Sequence, residues 1–318
     1  MEEWNQTTVK EFLLMGLTSS HKHDLYLFPF ILLIYLIVLT GNLFIIVLII
    51  ADYQLHIPMY YFITNFSFLE IMIATIVVPK TLSTLLSQDR SISFAGCLSQ
   101  SYLYFLIGTV ELLLLAVMSL DRYVAICSPL RYMTIMTQRM CFYLIFACWI
   151  GGVLSTSIPT VLKVRLPFCG PNRINHFFCD AGPLLKLSCA DTTLIELIDF
   201  ILFSLVTLTS FMMTLVSYAY IIGTILQIKT VTGRQKAFST CVSHITIIAL
   251  GYGSTIFIYV TPKQDNSLKY NKMVSVLTIF VTPVLSPFIF SLRNAKVKQS
   301  FRHIMLERKE MTSTQSRT

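Results

Sequence analysis

The sequence predicts an all-α fold, a seven-transmembrane helix bundle with a short amphipathic C-terminal helix. Apolar residues make up 55% of the 318 residues and charged residues only 13%, against about 25% charged residues in an ordinary soluble domain. The mean hydropathy is +0.70. The apolar residues are grouped in long runs with short polar connections between them. A water-soluble fold cannot bury so much apolar surface, so the composition indicates a membrane protein.

Each apolar run reaches the roughly 20 residues that a helix needs to cross a bilayer. Backbone polar groups in lipid must be satisfied within the segment, so we expect helices. The alternation that is typical of a membrane β-barrel is absent. The predicted spans are 26–50, 59–86, 97–127, 141–162, 194–228, 237–260 and 273–292.

These spans divide the chain into three regions. Residues 1–25 form an N-terminal leader, which lacks the short apolar core of a cleavable signal peptide. Residues 26–292 form the seven-transmembrane domain, and residues 293–318 form a tail. In the tail, apolar residues recur at helical spacing between basic ones over 293–309. This pattern favours an amphipathic helix against the membrane lipid of the anionic inner leaflet; a solvated basic tail is the alternative.

Two signals place the N-terminus outside the cell. Asn5-Gln6-Thr7 is a glycosylation sequon, which is used only on the outer side. Four of the eight cysteines lie in or beside two connections on that same side, which indicates an oxidising compartment. We therefore predict a multi-pass plasma-membrane protein with a cytoplasmic C-terminus. Residues Glu2 to Lys22 are expected to be a flexible extracellular leader, glycosylated at Asn5.

The composition and connections also exclude some functions. The net charge of +8 does not indicate a nucleic-acid partner, because the basic residues lie in short stretches between apolar runs. We find no nucleophile–base pattern or phosphate loop, and the connections are too short for a catalytic unit, so we do not expect an enzyme. A membrane transporter or channel is the alternative class, although no internal repeat is seen.

The strongest local signal is Asp121-Arg122-Tyr123 at the end of the third span. Charged residues there are costly in a membrane and are usually functional. The motif continues through a longer run, from Met118 to Tyr132. The alternative is a charged pair that only anchors the helix end at the interface.

Further runs accompany this motif: Gly41-Asn42, Pro58 to Phe62, Ser67 to Glu70, Lys236 to His244 and Ser286 to Asn294. Together these runs resemble the signature of vertebrate odorant receptors, a family of rhodopsin-like G-protein-coupled receptors, and the resemblance covers nearly the whole chain. It implies a receptor domain that binds a small, mostly hydrophobic volatile ligand within the bundle. It also implies activation of an olfactory-type stimulatory heterotrimeric G protein and cyclic AMP signalling.

A non-olfactory rhodopsin-like receptor is the alternative within the same superfamily. An opsin would need a lysine within 273–292, where none stands. An amine receptor would carry aspartate in place of Tyr104.

The resemblance also implies how the receptor switches. Asp121 would hold Arg122 in the resting state, and its release would free Arg122 for a cytoplasmic partner or for Tyr218. The coupling and switch residues so implied are Asp121, Arg122, Tyr123, Tyr218, Lys236, Ser286 and Pro287.

Three positions depart from the family pattern. The family usually has tyrosine at Leu120, asparagine at Ser286 and often tyrosine at Phe290. Serine is a shorter ligand than asparagine, and phenylalanine has no hydroxyl. We therefore expect effects on coupling and on any cation site, but not on the fold.

Glu70 and Glu111 are carboxylates near the middle of the second and third spans, so both should face the bundle interior. By resemblance, they occupy the sodium pocket of rhodopsin-like receptors, with Asn42 and Ser286 nearby. Either the oxygens bind Na⁺, or the two carboxyl groups share a proton because like charges disfavour double ionisation. No other cofactor is expected.

Four clustered cysteines permit three pairings, and the resemblance implies Cys97–Cys179 and Cys169–Cys189. The same stretch offers His176 and Cys179 at a spacing that could bind a metal ion. A free thiolate would be needed for that, and a structural loop is the alternative.

The ligand site is expected among apolar, aromatic and hydroxyl residues on the outer halves of spans three, five, six and seven, a lining that suits a small hydrophobic ligand. Any one of them could instead serve helix packing. The candidates are Tyr104, Phe105, Gly108, Thr109, Leu202, Phe203, Val206, Tyr252, Thr255, Ile256, Tyr259, Val276 and Ile279.

Overall fold

The computed structural model describes residues 9–17, 21–87, 89–169, 172–260, 267–292 and 297–300. Over these residues the chain is mostly helical. A π-helical turn, Leu277–Val281, joins the last two helices, and short 3-10 turns lie at Tyr53–Leu55 and Pro129–Arg131. The helices are α1 His21–Ala51, α2 Pro58–Leu86, α3 Phe94–Cys127, α4 Tyr132–Ile135, α5 Gln138–Val164, α6 Ala181–Leu185, α7 Thr193–Gln227, α8 Val231–Val260, α9 Ser267–Val276 and α10 Thr282–Leu292.

The predicted seven-transmembrane bundle is confirmed. Within the described residues, six helical stretches are long and apolar enough to cross a membrane: α1, α2, α3, α5, α7 and the stretch Asn271–Phe290. Helix α8 contributes a shorter apolar stretch, His244–Phe257. The bounds follow the predicted spans closely, although α1 begins at His21 rather than at residue 26 and α8 at Val231 rather than at residue 237.

Local sequence signals set several helix ends. The Ser93 side chain accepts a hydrogen bond from the Gly96 backbone N–H at the start of α3, and Thr137 does the same for Met140 at the start of α5. Both caps satisfy N–H groups that have no partner within the helix. Pro58 opens α2, where a missing N–H costs nothing and the fixed φ suits a helix.

The outer surface of the bundle is apolar. Leu33 on α1, Phe142 on α5 and Leu208 on α7 are all more than half exposed. A soluble protein rarely exposes so much contiguous apolar surface. In a bilayer these side chains contact lipid, so the exposed surface is the expected surface of a multi-pass membrane protein.

Helices α3 and α5 pack closely at Gly152. A Cβ atom at this position would lie 2.6 Å from Val110 Cγ2 and 3.1 Å from Leu106 Cδ1. Val110 and Leu106 are themselves buried in the core. Because glycine has no side chain here, the two helix backbones can approach each other, as small residues allow in membrane bundles.

The N-terminal segment forms a small sheet with two other short strands, which the sequence did not predict. Strand β1, Glu11–Leu14, lies between β2, Ser91–Ser93, and β3, Arg173–Ile174, antiparallel to β2 and parallel to β3. Phe12 and Leu14 are almost completely buried. The expectation of a flexible leader is therefore wrong for residues 11–14, which are held by sheet hydrogen bonds and apolar burial.

Two disulfides tie the connection 165–192 to this end of the bundle. Cys97 is bonded to Cys179, with Cα atoms 5.3 Å apart, and Cys169 is bonded to Cys189, with Cα atoms 5.8 Å apart. This is the pairing that the resemblance implies. We call this the disulfide end of the bundle.

The disulfide removes one ligand from the hypothetical metal site at His176 and Cys179, because a bonded sulfur is not a thiolate. The His176 ring instead lies against aromatic rings, 4.7 Å from the Phe177 centroid and 4.5 Å from the Phe178 centroid. It is a buried part of the loop core.

The C-terminal tail is described only at residues 297–300, which are helical. The rest of the amphipathic segment 293–309 lies outside the described residues. So does the glycosylation candidate Asn5.

We expect Gly152→Ala to destabilise the receptor by about 1–3 kcal/mol, because the added methyl group overpacks the contact with Val110. Gly223→Ala is the matched control, since nothing lies within 4 Å of a Cβ at position 223. Thermal unfolding of detergent-purified protein measures both. Equal unfolding temperatures in the two variants would contradict close packing at Gly152.

His176 should make stability fall on acidification. Burial lowers the pKa of His176 to about 3, whereas an unfolded histidine titrates near about 6.5. The unfolded state therefore binds the proton first, and stability decreases as the pH falls from about 6.5 towards about 3.

We expect His176→Phe to reduce the loss of unfolding temperature between about pH 7.5 and about pH 5. His23→Phe, at an exposed position in α1, is the control and should leave that loss unchanged. An unaltered pH dependence in His176→Phe would count against this role for the buried ring.

Candidate functional site

A cavity of about 660 Å³ lies between α3, α5, α7, α8, the last span and the connection 165–192. This volume is within the range of about 300–1,000 Å³ that is typical of small-molecule sites. Its lining includes residues of the connection at the disulfide end and extends to Leu115 of α3 and Ile247 of α8.

Most of the predicted ligand-site residues line this cavity, and they come from α3, α7 and α8. Their aromatic and aliphatic side chains give the mostly apolar surface that the sequence predicted, and Thr109 and Thr255 add hydroxyl groups. They are Tyr104, Phe105, Gly108, Thr109, Leu202, Phe203, Val206 and Thr255.

Four predicted residues lie elsewhere, because the helix faces differ from those expected. Tyr252 is buried between helices and donates a hydrogen bond to Leu112 O at 3.0 Å. Ile256 is 37% exposed on the outer surface. Val276 and Ile279 pack with Phe280 in a separate core cluster near α1 and α2. The side chain of Tyr259 lies outside the described residues.

The last span presents a polar face to the cavity, which the sequence analysis missed. Asn271, Ser275, Thr278 and Thr282 line the cavity. Their spacing of three and four residues puts them on one helix face. The spacing is visible in the sequence and could have identified them.

Charged residues also line the disulfide end of the cavity. Lys163 Nζ of α5 lies 2.7 Å from Asp199 Oδ2 of α7. Asp180, from the connection, lies deep among protein atoms, and this burial raises its pKa to about 6. The sequence analysis named none of the three, although Asp199 stands within the apolar run of span five, where a carboxylate usually marks a function.

Glu70 and Glu111 occupy the middle of the bundle, as predicted for two interior carboxylates. Glu70 is almost fully buried, and Glu111 also lines the inner part of the cavity. One oxygen of each, Glu70 Oε1 and Glu111 Oε1, has no hydrogen-bond partner among the described residues. Two more buried oxygens nearby share this property, Asn42 Oδ1 and Ser67 Oγ.

We call this group of buried oxygens, on Asn42, Ser67, Glu70 and Glu111, the polar centre. Hydrogen bonds with neighbouring groups fix two of its members in position. Asn42 Nδ2 donates to Val38 O at 3.0 Å and to Pro283 O at 3.1 Å, so its Oδ1 is fixed. The fully buried Ser286 hydroxyl interacts with the Glu70 side chain. Buried polar atoms without partners are rare and need an explanation, and hard oxygen atoms suit either a small cation or a shared proton.

At the end of the bundle opposite the disulfides, Asp121 has a contact beyond the predicted pairing with Arg122. Tyr132 Oη donates to Asp121 Oδ1 at 2.8 Å, whereas the ion pairs among the described residues are Arg90–Asp24 and Lys163–Asp199. No ion pair joins Asp121 to Arg122 among the described residues, although the Arg122 charge lies within electrostatic range of Asp121, so the predicted hold of Asp121 on Arg122 stays a prediction. Neighbouring residues on a helix do not face each other, so Asp121 faces the α4 turn.

The Arg122 charge also acts on residues of α7 and α8. It lies within electrostatic range of Tyr218 and His244, and Tyr218 Oη lies 2.7 Å from His244 Nδ1. The Tyr123 ring lies 5.7 Å from the Tyr220 ring. His244 belongs to a quoted motif, but the sequence analysis gave it no role.

The predicted coupling residue Pro287 and Phe290, a departure from the family pattern, lie at helix contacts. Pro287 packs against Gly41, where a Cβ would be 3.1 Å from Pro287 Cγ. Phe290 contacts Phe66 edge to face at 5.8 Å, so packing replaces any hydroxyl network there. The side chain of Lys236 lies outside the described residues.

The sequence of this chain matches a known protein family and several known receptors over most of its length. A family model described as olfactory receptor covers residues 31–308. Human olfactory receptor 6T1 is 51% identical over 304 residues, which are 96% of this chain and 94% of that receptor. Human olfactory receptor 6J1 is 50% identical, over 96% of this chain and 87% of its own length. Mouse olfactory receptor 6E1 is 47% identical, over 94% and 96%.

The family match begins inside α1 and extends beyond α10, so it includes the cavity, the polar centre and the motif at the end of α3. The family resemblance of the motif runs is thereby confirmed. The chain belongs to the olfactory receptor family of rhodopsin-like G-protein-coupled receptors.

Proposed function

We propose that the cavity binds a small, mostly hydrophobic volatile odorant, and that the bound receptor activates a stimulatory heterotrimeric G protein of the olfactory type and raises cyclic AMP. The observation that carries the proposal is a cavity of about 660 Å³ inside a bundle of the olfactory receptor family. Side chains such as Phe105 and Phe203 offer apolar contact, and Thr109 offers a hydroxyl. Such a lining suits a hydrophobic ligand oriented by one or two hydrogen bonds.

We place the disulfide end, and the N-terminus with it, outside the cell. Disulfides persist in oxidising compartments, and both described disulfides lie at this end. Strand β1, near the N-terminus, pairs with β3 there, and we propose Asn5 as a glycosylation site. The tail is then cytoplasmic, with its basic amphipathic segment against the inner leaflet.

Helix α8 connects the cavity to the cytoplasmic end. Ile247 and Gly251 line the cavity, and His244, about one turn before Ile247, contacts Tyr218. A ligand that contacts Ile247 and Gly251 better in one position of α8 shifts the population towards that position. The same movement changes the Tyr218–His244 contact and the surroundings of Arg122.

The cytoplasmic surface around Arg122 is the proposed G-protein contact. It combines Arg122 with residues 128–137 between α3 and α5 and residues 229–239 at the start of α8. Asp121, held by Tyr132, fixes the position of the connection relative to α3. Burial and the Asp121 carboxylate raise the pKa of Tyr132, so its hydroxyl remains the hydrogen-bond donor.

We further propose that the polar centre binds Na⁺. The supporting observation is the group of buried oxygens without partners, on Asn42, Ser67, Glu70 and Glu111. Hard oxygen ligands are the chemistry that alkali and alkaline-earth cations prefer. Glu111 also lines the cavity, so a cation there would be sensitive to an occupied ligand site. The alternative is a proton shared by the two carboxyl groups.

We expect Arg122→Ala to abolish the odorant-dependent rise in cyclic AMP, because the proposed G-protein contact loses its cation. The measurement is cyclic AMP in cells that express the olfactory G protein, over a broad panel of small volatiles, with surface expression checked by an epitope tag. Arg173→Ala, at an exposed arginine of the disulfide end, is the control and should respond like the parent. An undiminished response in Arg122→Ala would refute the role of Arg122.

Sodium should stabilise the purified receptor, and Glu70→Gln should remove this effect. A Na⁺ concentration about ten times its Kd would add about 1.4 kcal/mol of stability. The measurement is thermal unfolding in sodium chloride against choline chloride at equal ionic strength. Glu11→Gln, at an exposed carboxylate of β1, is the control. Equal unfolding temperatures in the two salts would favour the shared proton.

A further inference from the structure

The cavity lining at the disulfide end contains an ion pair, which a site for a purely apolar ligand does not need. The Lys163 side chain is only 7% exposed and that of Asp199 is 28% exposed, and both residues line the cavity. Removing two charges from water is expensive, and their mutual attraction often does not recover the cost. Stability alone is therefore a weak reason for an ion pair in this position.

The Lys163 ammonium has more N–H donors than its ion pair with Asp199 uses among the described residues. An ammonium carries three N–H donors and no acceptor. Among the described residues, Lys163 Nζ forms an ion pair with Asp199 Oδ2 at 2.7 Å, the Asp180 carboxylate lies within its electrostatic range, and the Phe105 ring centroid lies 5.8 Å away. Leaving buried donors unpaired costs free energy, so a group in the cavity that accepts a hydrogen bond from Lys163 is favoured.

The surrounding charges decide which acceptor fits. Among the described lining residues at this end, Asp180, Asp199 and Glu196 carry carboxylates, against the ammonium groups of Lys163 and Lys186. A ligand carboxylate would add to this negative excess and would compete with Asp199 for Lys163. A ligand ammonium or an alkane offers no acceptor, so both leave the Lys163 donors unpaired.

A neutral carbonyl oxygen accepts a hydrogen bond without bringing a charge. Farther inside, the cavity is lined by apolar side chains such as Phe203, Val206 and Ile247, which suit a hydrocarbon chain. We propose that the odorant is a neutral carbonyl compound, such as a ketone or an ester, with an aliphatic body, and that Lys163, held by Asp199, donates a hydrogen bond to its carbonyl oxygen. This inference rests on the proposed odorant-binding function of the same cavity.

The test uses four probes with chains of similar length and different head groups: octane, methyl hexyl ketone, octanoate and octylammonium. A ketone is chosen over an aldehyde because aldehydes also condense with amines. Binding to the purified full-length receptor in lipid nanodiscs is measured from the concentration dependence of the thermal unfolding temperature. The receptor should bind the ketone at least about tenfold more tightly than each other probe, as a hydrogen bond to a charged donor implies.

Variants assign the preference to Lys163. Lys163→Met should remove the preference for the ketone over octane, and Lys163→Arg should retain it, because arginine also donates. Since methionine leaves Asp199 unpaired, the double variant Lys163→Met, Asp199→Asn is measured as well and should also lack the preference. Lys10→Met, at an exposed lysine of the disulfide end, is the matched control.

Three outcomes would overturn the inference: tighter binding of octanoate or octylammonium than of the ketone, a ketone preference that survives in the double variant, or no binding of any probe. Cyclic AMP in cells with the olfactory G protein is recorded separately. Ketone binding that depends on Lys163 but produces no cyclic AMP rise would count against the proposed signalling and leave the inference standing. A cyclic AMP response with no head-group preference would support the proposed signalling and contradict the inference about Lys163.

Discussion

Inside a bilayer, a polar group without a protein partner costs several kcal/mol, and this constraint shapes the whole chain. It requires the spans to be helices, because a helix satisfies its own backbone. It also acts on hydroxyl side chains, which donate back to carbonyl groups four residues earlier. Thr75 donates to Ile71 O at 2.7 Å, and Thr209 donates to Leu205 O at 2.6 Å. The lipid-facing surface can therefore hold hydroxyl groups at little cost.

By the same constraint, buried polar atoms without a partner are costly and therefore uncommon. Among the described residues, several such oxygens lie together in the middle of the bundle, on Asn42, Ser67, Glu70 and Glu111. Lys163, at the other end of the cavity, has donors beyond the one that Asp199 receives. At both ends, an occupant of the site would supply the missing partner. The proposed cation would satisfy buried oxygens in the middle of the bundle, and the proposed carbonyl ligand would satisfy Lys163 at the disulfide end, for the same physical reason.

Features that depend on a contiguous segment could be predicted from the sequence. The spans follow from the length of each apolar run, and the end of α3 follows from a motif between Met118 and Tyr132. Features that depend on distant pairing could not be predicted. Strand β1 has only four residues, and its partners β2 and β3 lie far along the chain, so nothing local indicates which elements cover Phe12.

Errors in the candidate site come from the directions of side chains. Asp121 and Arg122 are adjacent in sequence, but adjacent residues of a helix point in different directions, so Asp121 accepts a hydrogen bond from Tyr132 that the sequence did not predict. In the last span, the residues on the cavity include Ser275 and Thr278, whereas the predicted Val276 and Ile279 lie on the neighbouring face. An apolar composition identifies the right helices, but the choice of face needs the packed structure.

The two ends of the receptor also differ in how their chemistry is encoded. At the proposed coupling end, Asp121, Arg122 and Tyr123 come from one continuous motif, and Arg122 lies within electrostatic range of Tyr218 of α7 and His244 of α8. The charged end of the cavity draws single residues from separate segments: Lys163 from α5, Asp180 from the connection and Asp199 from α7. One substitution at Lys163 would change the head group that the cavity accepts, while the packing of α3 against α7 and α8 would stay intact. The proposed ligand chemistry would therefore vary independently of the proposed G-protein contact within the same bundle.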